Sequence, residues 1–208
     1  MKTFVKYRCI QGSVLLVCML AVLIAAQWSM PGLLPAADPD TAVKGETMGA
    51  VKNANIGKKF PMVKAKTLAG QETTVPDDAA GKVTLVCVAF LRETQSQLDS
   101  WLNPFYEKFG SRADIMFYEV PMISGGYKFM KPIIDGGMRG GLPEFKHKHV
   151  ITMYGDVQSY VQALSLDPTN GHAFLLDREG SIRWQKEGFS NAETLASLFA
   201  ATEALLQQ

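Results

Sequence analysis

Asn170 to Trp184 reads N-G-H-A-F-L-L-D-R-E-G-S-I-R-W, and this stretch decides the fold. Ala173 to Leu176 is an apolar run suited to a buried strand. Asp177 to Gly180 supplies turn residues, and Ser181 to Gln185 alternates, which places Ile182 and Trp184 on one face of a returning strand. Asp177 can fold its carboxylate back onto its own backbone, and Gly180 can take the positive φ that closes such a turn. The expectation is a β-hairpin with a helix behind it: Leu195, Leu198, Phe199, Thr202, Leu205 and Leu206 form one apolar stripe, preceded by Ser190 and Glu193 in capping-box spacing.

Upstream, Val83 to Phe90 is a continuous apolar, β-branched run of the kind that makes a central strand covered on both faces. Thr94-Gln95-Ser96-Gln97 has capping-box form, and Leu98, Trp101, Leu102, Phe105 and Phe109 follow at helical spacing, with Pro104 expected to kink the helix. Ile115 to Val120 is the next strand, so strand, helix and strand make a parallel crossover. An earlier pair of short strands runs from Phe60-Pro61 to Ala65 and from Thr73 to Val75. Tyr127 to Arg139 reads as a helix broken by Pro132 and Gly136-Gly137. Val150 to Tyr154 is extended, and Asp156 caps a helix carrying Val157, Val161 and Leu164.

The N-terminus is of another kind. Lys2, Lys6 and Arg8 precede an uncharged apolar run, Val14 to Ala26, that reaches Trp28. This is the pattern of a bacterial-type signal peptide or signal-anchor over residues 1–30, followed by a Pro/Ala/Gly/Asp-rich linker over 31–55 and a domain over 56–208. Export across the bacterial inner membrane, with the domain periplasmic and held at the membrane by this segment, is the expectation. Setting aside residues 1–37, with three basic and no acidic residues, leaves 18 basic against 20 acidic of the 21 and 20 in the chain. A near-neutral domain with no basic stripe excludes a nucleic-acid partner. Cys9 and Cys18 belong to the leader, which leaves Cys87 alone in the domain and no internal disulfide.

The hairpin followed by a helix resembles the C-terminal half of the thioredoxin-like fold. In redox-active members a reactive C-x-x-C sits where the central strand meets the next helix, whose N-terminus stabilises a thiolate. Here that stretch is Leu91 to Ser96, with Glu93 and Ser96 at the degenerate positions. Gly171 and His172 stand where a cis-Pro-Thr would face the cysteine. Cys87 lies mid-strand, where burial keeps a thiol inert. A thiol oxidoreductase or peroxidase-like protein working through Cys87 is one alternative. A periplasmic metal carrier is another: His147 and His149, two apart on an extended strand, would face one side, with His172 near the same end of the sheet, although Lys146 and Lys148 oppose a cation. The glycines around Phe129 to Ile134 match neither phosphate-binding pattern and suit either an exposed, adaptable edge that meets a protein partner or a simple irregular crossover loop. No cofactor is expected.

Phe60-Pro61, Gly81 to Val86, Trp101 with Pro104-Phe105, Met138-Arg139, His149 with Tyr154, and above all Asn170-Gly171 through Asp177, Gly180, Ile182-Arg183-Trp184 and Gly188 resemble the ATP-ten family of mitochondrial ATP synthase assembly factors. The resemblance covers roughly residues 57 to 200. It implies an α/β, thioredoxin-like (peroxiredoxin-type) domain, a central mixed sheet flanked by helices, without redox cysteines. It also implies a chaperone-like, non-catalytic role toward a membrane protein complex, with the mitochondrial inner membrane as the alternative location. Arg139, His149, Asn170, Gly171, His172, Arg183 and Trp184 are the partner-binding candidates.

Overall fold

The structure is a computed structural model and describes residues 54–208. The signal or anchor segment over 1–30, with Cys9 and Cys18, and the linker up to residue 53 lie outside the described residues. No helix among the described residues is long and apolar enough to cross a membrane.

The first hairpin pairs β1 (Val63–Lys66) with β2 (Glu72–Val75) as a separate two-stranded sheet. The main sheet holds β3 (Val83–Ala89), β4 (Ile115–Ser124), β5 (Met153–Gly155), β6 (His172–Leu176) and β7 (Ile182–Glu187), in the order β5-β4-β3-β6-β7. β3 runs parallel to β4 and antiparallel to β6, so the sheet is mixed. Every residue of β3 is buried, as its unbroken apolar run predicts.

Alternation along β3 sorts the core into two layers. Leu85 and Cys87 face α1 (Gln95–Phe109) and α4 (Ala192–Leu206) together with Trp101, Phe105, Leu175 and Leu198. Val86 and Val88 face the other way, toward Phe60, Val63, Val75 and the region of α3 (Val157–Leu164), with Phe174 and Leu176. α2 (Lys131–Gly141) lies beside β5, held where the Tyr154 hydroxyl donates to Asp135 Oδ1 at 2.8 Å.

The hairpin turn is built as its residues dictate. Asp177 Oδ1 accepts from the N–H of Ser181 at 2.8 Å and of Glu179 at 3.0 Å, and Gly180 takes φ +80°. One expectation fails here. The register pairs Leu175 with Trp184 but Leu176 with Ile182, so Arg183 is an extra residue, a β-bulge. The bulge inverts the alternation: Ile182 packs with Phe174 and Leu176, whereas Trp184 packs on the opposite face with Trp101 and Leu175.

Both expected capping boxes also give way to other bonds. The Thr94 hydroxyl donates to the Leu91 carbonyl at 2.8 Å, in a 3-10 turn over Arg92–Thr94 that leads into α1 without a side-chain cap. α4 is capped one residue later, by Asn191 with Thr194 in a reciprocal box. Ser190 is occupied elsewhere, for a reason that lies in Pro104. α1 continues through Pro104, which has no N–H for the Ser100 carbonyl four residues back. The Ser190 hydroxyl donates to that carbonyl at 2.7 Å, and the Ser190 N–H donates to the Ser100 hydroxyl at 2.9 Å. Ser190→Ala leaves the carbonyl unpaired and is expected to cost about 1–2 kcal/mol. The check is a lowered urea midpoint at unchanged m-value.

α2 is likewise not broken where the sequence suggested. Pro132 sits in its first turn, where no intrahelical N–H is needed, and the helix runs through Gly136-Gly137.

Candidate functional site

The C-terminal end of β3, the N-terminal turn of α1 and the start of β6 meet at one end of the sheet. Glu93 and Ser96 are exposed there. The facing turn, Asn170-Gly171-His172, is tied down. The Gly171 N–H donates to Gln97 Oε1 at 2.7 Å, and a Cβ at Gly171 would lie 2.5 Å from Leu98 Cδ1. The Gly171 carbonyl accepts from Gly188 N–H at 2.9 Å, and the Gly188 carbonyl accepts from Trp101 Nε1–H at 2.8 Å. α1, β6 and the β7–α4 junction are thus stitched together around the position that faces a reactive cysteine in redox-active thioredoxin-like proteins.

Asn170 donates through Nδ2 to Asp167 Oδ2 at 3.1 Å, and the Asp167 carboxyl is held below the usual carboxylate range, first by the Thr169 hydroxyl and then by the Thr169 N–H. His172 is fully buried. Its Nε2 meets the Asp167 carbonyl at 2.8 Å, while Nδ1 has no hydrogen-bond partner and stands 3.6 Å from Glu187 Oε2. Around these anchored groups two apolar side chains face water: Leu91 is 46% and Phe189 62% exposed.

Cys87 is in the middle of β3, flanked by Glu119 on β4 and Ala173 on β6. Burial pushes its thiol well up, and the charges of Glu119 and Asp99 push the same way. That disfavours the thiolate, the form that attacks.

The histidines do not converge as an extended strand would make them. Glu144–His149 is a 3-10 helix, and each ring has its own carbonyl: His147 Nε2 at 3.0 Å from Leu142 O, His149 Nδ1 at 3.1 Å from Phe117 O, and His172 as above. Among the described residues no group of three or more His, Cys, Asp or Glu is placed to hold a metal ion. The metal-carrier alternative therefore loses the convergence it rested on.

His149 stacks on Phe117 with centroids 4.0 Å apart, at the edge of a cavity of about 20 Å³ lined also by Tyr106, Glu119 and Lys146. This volume suits roughly one water molecule. Burial, and secondarily Lys148, pushes the His149 ring down to about 4 against the opposing effect of the Phe117 carbonyl. The unfolded value lies near 6.5, so as pH falls the unfolded chain takes up the proton first. The stability that His149 contributes is complete above about pH 6.5 and is lost on descending toward pH 4. Because the ring is half exposed, about 1–2 kcal/mol is expected after allowance for screening. His149→Gln should flatten the fall in urea midpoint between pH 7 and pH 5.

The other candidates are dispersed. Arg139 is exposed near the end of α2, on the β5 side of the sheet, with Nη1 3.4 Å from the Leu68 carbonyl. Arg183 is at the opposite end of the sheet from Asn170, its Nε 2.7 Å from Asp177 Oδ2. Burial of Asp177 works against its charge, but the Ser181 N–H, Arg183 and the Glu179 N–H together hold it below the usual range. Trp184 is buried and donates through Nε1–H to Ser197 Oγ at 3.0 Å. Gly171 and His172 thus shape the site from beneath, while Asn170, Glu93 and Ser96 reach its surface; Trp184 lies in the core layer against Trp101 and Leu175. Sequence reasoning missed Gln97, Leu91 and Phe189. Gln97 had no signal, because its partner is 74 positions away.

The family described as ATP10 protein matches residues 52–205. No curated protein matches the sequence. Among solved structures, a candidate protein disulfide isomerase from Bacteroides thetaiotaomicron aligns at TM-score 0.53 and 18% identity, over 74% of this chain and 91% of that one. An uncharacterized conserved protein from Geobacillus kaustophilus aligns at TM-score 0.52 and 15% identity, over 73% and 82%. A hypothetical protein from Sinorhizobium meliloti aligns at 0.50 and 16%, over 73% and 84%. At these identities the likeness establishes the fold, which is thioredoxin-like.

Proposed function

The chain belongs to the ATP10 protein family, and from that premise we propose that it is a non-catalytic, chaperone-like assembly factor acting on a membrane protein complex, which we infer to be ATP synthase. The observation that carries this reading is the end of the sheet where thioredoxin-like enzymes keep their reactive cysteines. Glu93 and Ser96 occupy those positions, and the facing turn is locked to Gln97, while Leu91 and Phe189 present apolar surface around them. Such an arrangement offers a partner a rigid, partly apolar platform on which the described residues expose no thiol. The neighbouring thiol, Cys87, is buried and disfavoured as a thiolate.

In this reading the platform lies on the exported face of a bacterial inner membrane, which the basic flank and apolar run of residues 1–30 support; the mitochondrial inner membrane is the alternative. A photoreactive residue at position 96 in the full-length protein, irradiated in native membranes and followed by mass spectrometry, tests the client. Membrane-sector subunits of ATP synthase are the expected adducts. Adducts confined to another membrane complex would change the client, and capture only of soluble thiol proteins would overturn the reading.

A further inference from the structure

The segment from Gly125 to Gly141 is unlike the rest of the domain. It forms a 3-10 helix over Gly125–Met130 that runs into α2, and it carries the two most exposed large apolar side chains among the described residues, Phe129 at 81% and Ile133 at 72%, with Tyr127 at 53%. Lys128 and Lys131 alternate with these, and Arg139 follows at the helix end. The one acid, Asp135, is buried and already bonded by the Tyr154 hydroxyl, with Lys131 Nζ at 3.6 Å. Residues 54–208 hold 16 basic and 17 acidic residues; taking out the three and the one of this segment leaves 13 against 16. A positively charged, apolar-tipped segment therefore projects from an otherwise acidic domain.

We propose that this segment docks on an anionic lipid surface, with Phe129 and Ile133 entering the headgroup region and Lys128, Lys131 and Arg139 meeting lipid phosphates. Three observations favour a bilayer over a protein partner. Aromatic and aliphatic side chains interleaved with lysines are the composition of interfacial segments, where lysine stems lie along apolar surface and their heads reach the phosphates. The segment is helical throughout, so its backbone bonds are largely satisfied internally before any contact is made. Charge complementarity sets orientation, because the acidic remainder of the domain is repelled by the surface that attracts this segment. The docking reading needs the chain to be at a membrane, as the proposed function has it, but it uses a surface other than the client platform.

The glycines of α2 give a way to separate a bilayer from a protein. A Cβ at Gly136, Gly137, Gly140 or Gly141 would meet nothing within 4 Å, so packing inside the chain does not require them. A closely approaching protein helix would require them, and a fluid headgroup layer would not.

The test uses full-length protein with Cys9→Ser and Cys18→Ser, reconstituted into vesicles, with a nitroxide on Phe129→Cys; Cys87 is buried in β3. Collision with a water-soluble relaxation agent reports whether residue 129 is in water or lipid. In vesicles containing phosphatidylglycerol the label should be protected, and in pure phosphatidylcholine it should be exposed, although the leader anchors the chain in both. Lys128→Glu is expected to weaken docking about fivefold or more. Gly136→Ala and Gly140→Ala should leave it unchanged, with circular dichroism as the folding control. Equal water exposure in both vesicles overturns the proposal. So does protection that appears only when membrane proteins are added and disappears with Gly136→Ala, which would assign the segment to a protein partner. Either failure leaves the client reading standing, because that is measured at position 96.

Discussion

Gly180→Ala is expected to destabilise the domain by about 2–5 kcal/mol, the sum of a left-handed backbone cost of about 1–2 and an overpacking cost of about 1–3. Both parts come from the hairpin turn. Gly180 holds φ +80°, and a Cβ there would lie 2.6 Å from Pro76 Cγ and 2.7 Å from Pro76 Cβ. A proline ring has no rotamer with which to step aside. Gly70→Ala separates the two parts, since Gly70 has φ +85° with nothing within 4 Å of its Cβ position. It should lose about 1–2 kcal/mol, the conformational share alone. Urea midpoints for the two variants measure the difference, and equal losses would mean that the turn can move away from Pro76.

Trp101→Ala is the second large effect. The indole is fully buried, stands edge-on to Trp184 with centroids 5.5 Å apart, and donates to the Gly188 carbonyl at 2.8 Å. Removing it costs about 3–5 kcal/mol in cavity and lost burial. Leaving the Gly188 carbonyl without its donor adds roughly 1 kcal/mol. Against a usual total of about 5–15 kcal/mol, this variant is close to unfolding. Trp101→Phe keeps much of the ring and loses the donor, so about 1–2 kcal/mol is expected. Because Gly188 N–H also holds the Gly171 carbonyl, amide exchange at Gly171 and His172 should quicken in Trp101→Phe while β3 stays protected. Uniform loss of protection would show that the platform is not separately anchored through Trp101.

The sequence disclosed those parts of the fold whose cause is local. Val83 to Ala89 had to be a doubly covered strand because nothing in it is polar enough to face water, and Asp177 with Gly180 dictated the turn. The misses turn on partners or element boundaries that the local pattern does not state. The bulge at Arg183 could not be seen because alternation assumes one residue opposite one residue, and the extra one is absorbed only when Leu175 and Leu176 are already paired. Two serine or threonine positions offered capping boxes, and both were taken by other bonds: Thr94 by the Leu91 carbonyl, Ser190 by the Ser100 carbonyl that Pro104 leaves free, 90 positions earlier in the chain. Pro132 looks like a breaker in the sequence because its place in the first turn depends on where α2 begins.

The candidate site divides in the same way. Missing cysteines between Leu91 and Ser96 are legible in the letters, whereas the Gln97 to Gly171 bond that fills the gap is a product of the fold. The separation of Arg139, Arg183 and Asn170 to different parts of the sheet follows from strand order, which no single segment encodes.

The central claim is that the platform acts by binding and not by thiol chemistry. Its most direct test is the yield of assembled membrane complex, by native gel, in cells whose only copy of this protein carries Cys87→Ser or the pair Leu91→Glu and Phe189→Glu. These two apolar side chains are exposed, so the double variant should fold normally, as a thermal melt can verify. Cys87→Ser should assemble the complex fully, and the double variant should lose assembly. Loss with Cys87→Ser, while the double variant assembles normally, would contradict the central claim.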